Sequence, residues 1–229
     1  MNIYHDERCE DPDFLRLISY PRTGSHWFRI IIEMYSNRPS MVETFFNSDW
    51  EGVWGYHMHN RYVDKAHNEP GFGKGNGDIR LYNTLNNVIY LSRNPVDVIY
   101  SQLKYDDNFD EENYKDVSEE YLKHLDFWKN EATAEKIIYI DYDDLKNDPH
   151  ETFKRVFKFI GGIRYNSLKL DKVLRKCTKE KTQFLTTNNG SVICEEQLLD
   201  SKSYEKHKKE WSDEKSDEII EMFKGVYYE

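Results

Sequence analysis

Apolar runs recur along the chain, and each is followed by a polar turn and a helical pattern. Phe14-Leu15-Arg16-Leu17-Ile18 reads as a strand, and Phe28-Arg29-Ile30-Ile31-Ile32-Glu33-Met34-Tyr35 is apolar enough for a buried helix. Residues 53–59 suit a short second strand. Asn87-Val88-Ile89-Tyr90-Leu91-Ser92 is nearly continuous in apolar side chains, as a strand buried on both faces would be. The helix after it is clearly marked: Asn94 suits the N-cap, Pro95 the first helical position, and Asp97 the first turn. Residues 106–120 are strongly acidic and are expected to open as a solvated loop before a helix over 117–130. Residues 136–140 form another apolar strand. Asp148-Pro149 then opens an amphipathic helix with Phe153, Val156, Phe157 and Ile160 on one stripe, stopped by Gly161-Gly162. Helices over 167–177 and 212–223 complete the pattern. Residues 38–52 and the stretch 60–78, with Gly71, Gly73, Gly75 and Gly77, read as long loops.

Strands that alternate with helices predict an α/β fold: a parallel central sheet flanked by helices in three layers, in one domain spanning residues 1–229. Such sheets bind ligands at the C-terminal ends of their strands. Arg22, Arg93 and Tyr142 each follow a predicted strand, so all three are expected along one edge.

The first of these turns, Ser19-Tyr20-Pro21-Arg22-Thr23-Gly24-Ser25-His26-Trp27, leads from strand to helix through a Gly. Unpaired backbone N–H groups at a helix N-terminus bind anions, phosphate above all. The Gly-Lys-Ser/Thr ending of the common phosphate loop is missing. Instead the turn resembles the 5′-phosphosulfate loop of sulfotransferases, of the Tyr-Pro-Lys-Ser-Gly-Thr-Thr-Trp type. Leu91-Ser92-Arg93-Asn94-Pro95-Val96-Asp97-Val98-Ile99-Tyr100-Ser101 is similar to the 3′-phosphate motif of the same family, an Arg followed eight residues later by a Ser. Positions 94, 97 and 101 lie on one helical stripe, so Ser101 sits above the helix start that Arg93 precedes. Ile138-Tyr139-Ile140-Asp141-Tyr142-Asp143-Asp144-Leu145 is similar to the family's Tyr-Glu-Asp-Leu segment, and Lys181-Thr182-Gln183-Phe184 to its Thr-Ser-Phe segment. The likeness covers about residues 14–190.

This resemblance implies a P-loop nucleotide-hydrolase-like fold and a donor, 3′-phosphoadenosine 5′-phosphosulfate (PAPS), which leaves as adenosine 3′,5′-bisphosphate (PAP). It implies Arg22, in place of the family's Lys, at the leaving phosphate, with Thr23, Gly24, Ser25 and His26 completing the loop. It places Arg93 and Ser101 on the 3′-phosphate, and Trp27, Tyr142 and Thr182 at the nucleoside. The acceptor is a hydroxyl or amine of a small molecule, and its proton needs a base. His57 in Tyr56-His57-Met58 is the first counterpart of the family's His, with His59 the second. The family's lead-in Lys is absent, and Asn188-Asn189-Gly190 stands where an Arg-Lys-Gly element usually grips the 3′-phosphate. No metal is required, and His57, His59 and His67 do not show a zinc spacing. A nucleotide-dependent phosphotransferase and a non-catalytic nucleotide-binding module are the competing readings. The first would need a loop Lys and metal-holding Ser/Thr and Asp.

Composition narrows the partners. A net charge of −10, from 42 acidic and 32 basic side chains, argues against nucleic acid. An acidic chain must concentrate its cations locally to hold a doubly phosphorylated nucleotide, and Arg22, Arg29 and Arg38 cluster around the first turn. Acidic residues such as Glu43, Asp106 and Asp107 in the loops suit a cationic acceptor. Cys9, Cys177 and Cys194 are scattered, which favours a reducing compartment. No apolar leader or membrane-length segment is present, so a cytoplasmic protein is expected.

Overall fold

The computed structural model describes residues 13–38, 40–42, 55–59, 85–177 and 212–228. Its centre is a five-stranded, all-parallel sheet in the order β2-β3-β1-β4-β5. The strands are β1 (Arg16–Ser19), β2 (Met41–Val42), β3 (Tyr56–His59), β4 (Asn87–Ser92) and β5 (Lys136–Asp141). Seven helices accompany them among the described residues: α1 (Ser25–Ser36), α2 (Pro95–Asp106), α3 (Glu111–Asp126), α4 (Tyr142–Asn147), α5 (Pro149–Ile160), α6 (Ser167–Lys176) and α7 (Asp213–Met222). A π-helical turn, Phe127–Glu131, extends α3.

Alternation along β4 divides the core in two. Ile89 and Leu91 face a layer built with Phe28, Ile31 and Tyr35 of α1, Phe153, Val156 and Phe157 of α5, and Leu170 and Val173 of α6. Val88 and Tyr90 face the other layer, with Val98, Ile99 and Leu103 of α2, Tyr114, Tyr121 and Leu125 of α3, and Ile219 of α7. The result is a three-layer α/β/α fold, as alternating strands and helices require.

The α2 boundary matches its local signals: Asn94 Oδ1 accepts the Val96 N–H at 3.0 Å, and Pro95 is the first helical residue. The acidic stretch before residue 117 departs from expectation, since α3 begins at Glu111. Asp110 caps it by accepting the Asn113 N–H at 2.7 Å. Early acidic residues favour a helix N-terminus electrostatically, and Tyr114, Val117 and Tyr121 supply a buried stripe at helical spacing. Two further elements add to the expected pattern, the two-residue β2 and the short α4. Asp141 caps α4 by accepting the Asp143 N–H at 2.8 Å. No helix among the described residues is long and apolar enough to cross a membrane.

His124 of α3 is fully buried between aromatic rings, 5.5 Å from the centroids of Tyr20 and Tyr90, and shares a 3.0 Å hydrogen bond with the Tyr90 hydroxyl. Burial pushes its pKa down from 6.5 to about 3. In that window the unfolded chain binds a proton that the folded chain refuses. Stability is therefore unaffected by this group above the unfolded pKa and falls as pH drops through the window, by up to about 1.4 kcal/mol per pH unit. Urea unfolding between pH 7 and pH 4 should show this slope, and His124→Gln should flatten it even where it lowers stability throughout.

Candidate active site

At the C-terminal edge of the sheet, the turns after β1, β4 and β5 converge. The first turn enters α1 through Gly24, whose φ of 92° lies in the left-handed region. A Cβ at Gly24 would stand 2.3 Å from Tyr142 Cε2, so the absence of a side chain is what lets the Tyr142 ring lie against the loop. Arg22 is also left-handed, with φ 70°. Buried Thr23 ties the turn together by donating to the Tyr20 carbonyl at 2.8 Å. The buried Ser25 opens α1, and His26 and Trp27 follow it in the first helical turn.

Two guanidinium groups meet here. Arg22 Nε donates to Ser101 Oγ at 3.1 Å, and its guanidinium lies 4.9 Å from the Tyr105 ring centroid. Arg93 Nη1 donates to the Arg22 carbonyl at 3.2 Å, and Nη2 pairs with Asp97 at 3.1 Å. The Arg93 guanidinium also sits 4.8 Å over the Tyr142 ring. Arg22, Ser101, Arg93, Gly24 and Tyr142 are thus brought into one cluster from positions spread over 121 residues (142 − 22 + 1). Such a cluster offers guanidinium donors, a hydroxyl and backbone N–H groups at a helix start, all suited to phosphate. Burial raises the Tyr142 pKa, an effect partly offset by Arg93.

Trp27 lies beside this cluster, edge-on to Tyr142 with centroids 5.9 Å apart, and donates from Nε1 to the Cys177 carbonyl at 2.6 Å. Arg29 does not join it. Arg29 is buried on α1, where it pairs with Glu33 at 3.2 Å and donates to Ser40 Oγ at 3.2 Å. Committed to these partners on α1, it does not add to the local cation set. Strand register separates the two His: His59 pairs with Ser19 at the C-terminal end of β1, whereas His57 pairs with Leu17, two residues further in. Thr182 and Asn188-Asn189-Gly190 lie outside the described residues. Among the described residues no group of three His, Cys, Asp or Glu side chains could hold a metal.

Several supporting residues carry no mark in the sequence. The buried Tyr121 hydroxyl accepts the Arg93 N–H at 3.2 Å and donates to the Arg93 carbonyl at 2.8 Å, fixing the backbone of that residue from α3. Tyr20 packs at a tilt against Tyr121 with centroids 4.8 Å apart and donates to Glu120 at 2.8 Å. One face of α3 therefore holds both motif turns. Only Asp97 was accessible to sequence reasoning, through its i+4 spacing from Arg93.

The Gly24–Tyr142 contact can be tested by stability alone. Gly24→Ala should cost about 2–4 kcal/mol in urea unfolding, from left-handed backbone strain and overlap with the ring. In a Tyr142→Ala background the overlap disappears, and the cost should fall to about 1–2 kcal/mol, the backbone part alone.

Comparison with known proteins identifies the family. The model of the sulfotransferase domain matches residues 11–229. Sulfotransferase 2A6 of Mus musculus is 24% identical over 216 residues, covering 85% of this chain and 75% of the relative. Sulfotransferase 1E1 of Bos taurus is 20% identical over 210 residues, covering 81% and 71%. Mouse sulfotransferase SULT7A1 complexed with PAP aligns with a TM-score of 0.56 at 16% identity, over 93% of this chain and 83% of that one. A retinol dehydratase in complex with androsterone and inactive cofactor PAP aligns with a TM-score of 0.58 at 13% identity, over 95% and 82%. These structural likenesses bear on the fold, and the domain match spans nearly the whole sequence. With the motif turns gathered at one sheet edge, the chain belongs to the sulfotransferase domain family and is a sulfotransferase.

Proposed function

We propose that this sulfotransferase takes PAPS as its donor and passes the sulfuryl group to a hydroxyl or amine of a small-molecule acceptor. The observation that carries this reading is the convergence of Arg22, Ser101, Arg93 and Tyr142 beside the Gly24 turn. The residues present fit the donor: convergent cations and donors for two phosphates, a loop without a side chain at Gly24, and planar rings at Trp27 and Tyr142. Retinol dehydratase, a structural neighbour, forms complexes with androsterone and with retinol, both of them small molecules.

Sulfuryl transfer forms a bond from the acceptor oxygen or nitrogen to sulfur and breaks the bond from sulfur to the 5′-phosphate oxygen. Negative charge grows on that phosphate as PAP leaves. Arg22 supplies a fixed positive charge there, and the backbone N–H groups of Thr23, Gly24, Ser25 and His26 supply donors that need no reorganisation. Arg22 stays protonated, so it stabilises charge and donates no proton to the leaving group. Arg93 and Ser101 take the 3′-phosphate, with Asp97 holding the guanidinium in place. Arg22 already donates to Ser101, so its guanidinium is available to both the 5′-loop and the residues assigned to the 3′-phosphate. That supplies part of the charge missing from Asn188-Asn189-Gly190. Trp27, Tyr142 and Thr182 serve the nucleoside.

The acceptor proton passes to a His on β3. Register favours His59, since the donor loop begins immediately after Ser19, its partner in the sheet. His57 lies level with Leu17, a core residue. A cationic acceptor is the preferred class, favoured by acidic residues such as Asp107 between α2 and α3 in a chain carrying a charge of −10.

The test is incubation with labelled PAPS and a panel of neutral and cationic alcohols and amines, in chelator and without magnesium. Sulfated product and PAP should both form, with the cationic acceptors preferred. His59→Asn should lower kcat by about a hundredfold or more, within the range of general-base catalysis, and His57→Asn by much less. Arg22→Ala should lower kcat by roughly a hundredfold to a thousandfold, as loss of a charge stabiliser does. Transfer that requires ATP and magnesium would point to a phosphotransferase, and PAP binding without any transfer to a non-catalytic module.

A further inference from the structure

The segment after α7 folds back onto the strand ends that carry the donor site. Phe223 is fully buried, 5.7 Å from the Tyr121 ring centroid, and its carbonyl accepts the N–H groups of Tyr227 at 2.9 Å and Tyr228 at 3.2 Å. Gly225, with φ 77°, closes this turn by donating to the Tyr228 carbonyl at 2.8 Å. Lys129 of the π-helical turn donates to the Val226 carbonyl and lies 5.5 Å over the Tyr227 ring. The two phenols are therefore aimed by a closed, anchored turn.

Their targets are specific. The Tyr228 hydroxyl donates to Asn94 Oδ1 at 3.1 Å, the same oxygen that caps α2. The Tyr227 hydroxyl donates to Asp141 Oδ2 at 2.6 Å, and that oxygen also accepts from Ser92 Oγ at 3.1 Å. Asn94 follows Arg93, and Asp141 precedes Tyr142 while capping α4. Each phenol thus lands one residue away from a side chain of the donor cluster. Burial, and next to it the bond to Asp141, push the Tyr227 pKa up, and burial raises that of Tyr228 to about 12, so both remain donors at neutral pH.

We infer that Tyr227 and Tyr228 are positioning residues for the donor: they hold the ends of β4 and β5 at the spacing that seats Arg93 against Tyr142. This role rests on the donor reading above. Both phenols act through Asn94 and Asp141, each one residue away from a side chain of the donor cluster. The effect should therefore fall on donor affinity and spare the transfer step.

The experiment compares Tyr227→Phe, Tyr228→Phe and the double variant with wild type. Ile219→Val, which loosens the buried anchor of α7 and leaves both hydroxyls, serves as a control. Measured are the KM for PAPS, the KM for the acceptor, kcat, the Kd of PAP by calorimetry, and the thermal midpoint. Each single variant should raise the donor KM and the Kd of PAP about fivefold, and the pair about tenfold or more, as loss of hydrogen bonds to a cap and a carboxylate implies. The kcat and acceptor KM should stay within about twofold, and Ile219→Val should lower the midpoint without moving the donor KM. Wild-type donor parameters in the Tyr variants, or an equal rise in donor KM with Ile219→Val, would overturn the positioning role. Wild-type protein that binds no PAP would overturn the donor reading itself, and the role with it.

Discussion

Arg93 carries a permanent charge in a place where its side chain keeps only 16% of its exposure to water. A guanidinium withdrawn that far is costly unless its donors are met and its charge is balanced. Asp97 balances the charge, the Arg22 carbonyl takes a second donor, and the Tyr142 ring covers the face of the group. Those partners come from α2, from the turn after β1, and from the turn after β5. The contacts of this one side chain therefore tie three strand ends to one another. The Gly24–Tyr142 contact follows from it, because the ring that Arg93 covers rests where only a glycine leaves room.

The second consequence is electrostatic. The chain carries a net charge of −10, yet the cluster turns cationic groups and helix-start N–H donors toward one edge of the sheet. Local concentration of this kind lets an acidic protein hold a multiply anionic nucleotide while its remaining surface repels nucleic acid. Arg22 extends the arrangement. In the place where family members usually carry Lys, a planar fork reaches Ser101 while the backbone of the same residue engages Arg93. A flexible ammonium could supply the charge but not the planar fork, while the backbone contact with Arg93 does not depend on the side chain.

Much of the frame was written locally in the sequence. The starts of α2 and α5 are marked by Asn94-Pro95 and Asp148-Pro149, and caps act within a few residues, so these boundaries could be read directly. The start of α3 was obscured because acidic composition suggested a loop, whereas the buried stripe of Tyr114, Val117 and Tyr121 decided the matter. The cluster was legible in its parts: Arg22, Gly24 and Arg93 sit in recognisable turns, Ser101 on the helix that follows Arg93, and Tyr142 directly after β5. The bonds between those parts were not legible. The Tyr121 hydroxyl on the Arg93 backbone spans 28 residues, and the Tyr227 hydroxyl on Asp141 spans 86, so neither leaves a spacing to detect. Arg29, close to the turn in sequence, proved to be committed to Glu33, its i,i+4 partner on the helix, and so does not join the cluster.

The account depends most on Arg93 and Ser101 reading a 3′-phosphate while the Gly24 turn reads a 5′-phosphate. Calorimetric titration in chelator with PAP and with adenosine 5′-monophosphate isolates that difference in a single ligand group. PAP should bind roughly a hundredfold more tightly, as charge-assisted bonds from a guanidinium and a hydroxyl imply. Equal affinities for the two nucleotides in the wild-type protein would contradict it.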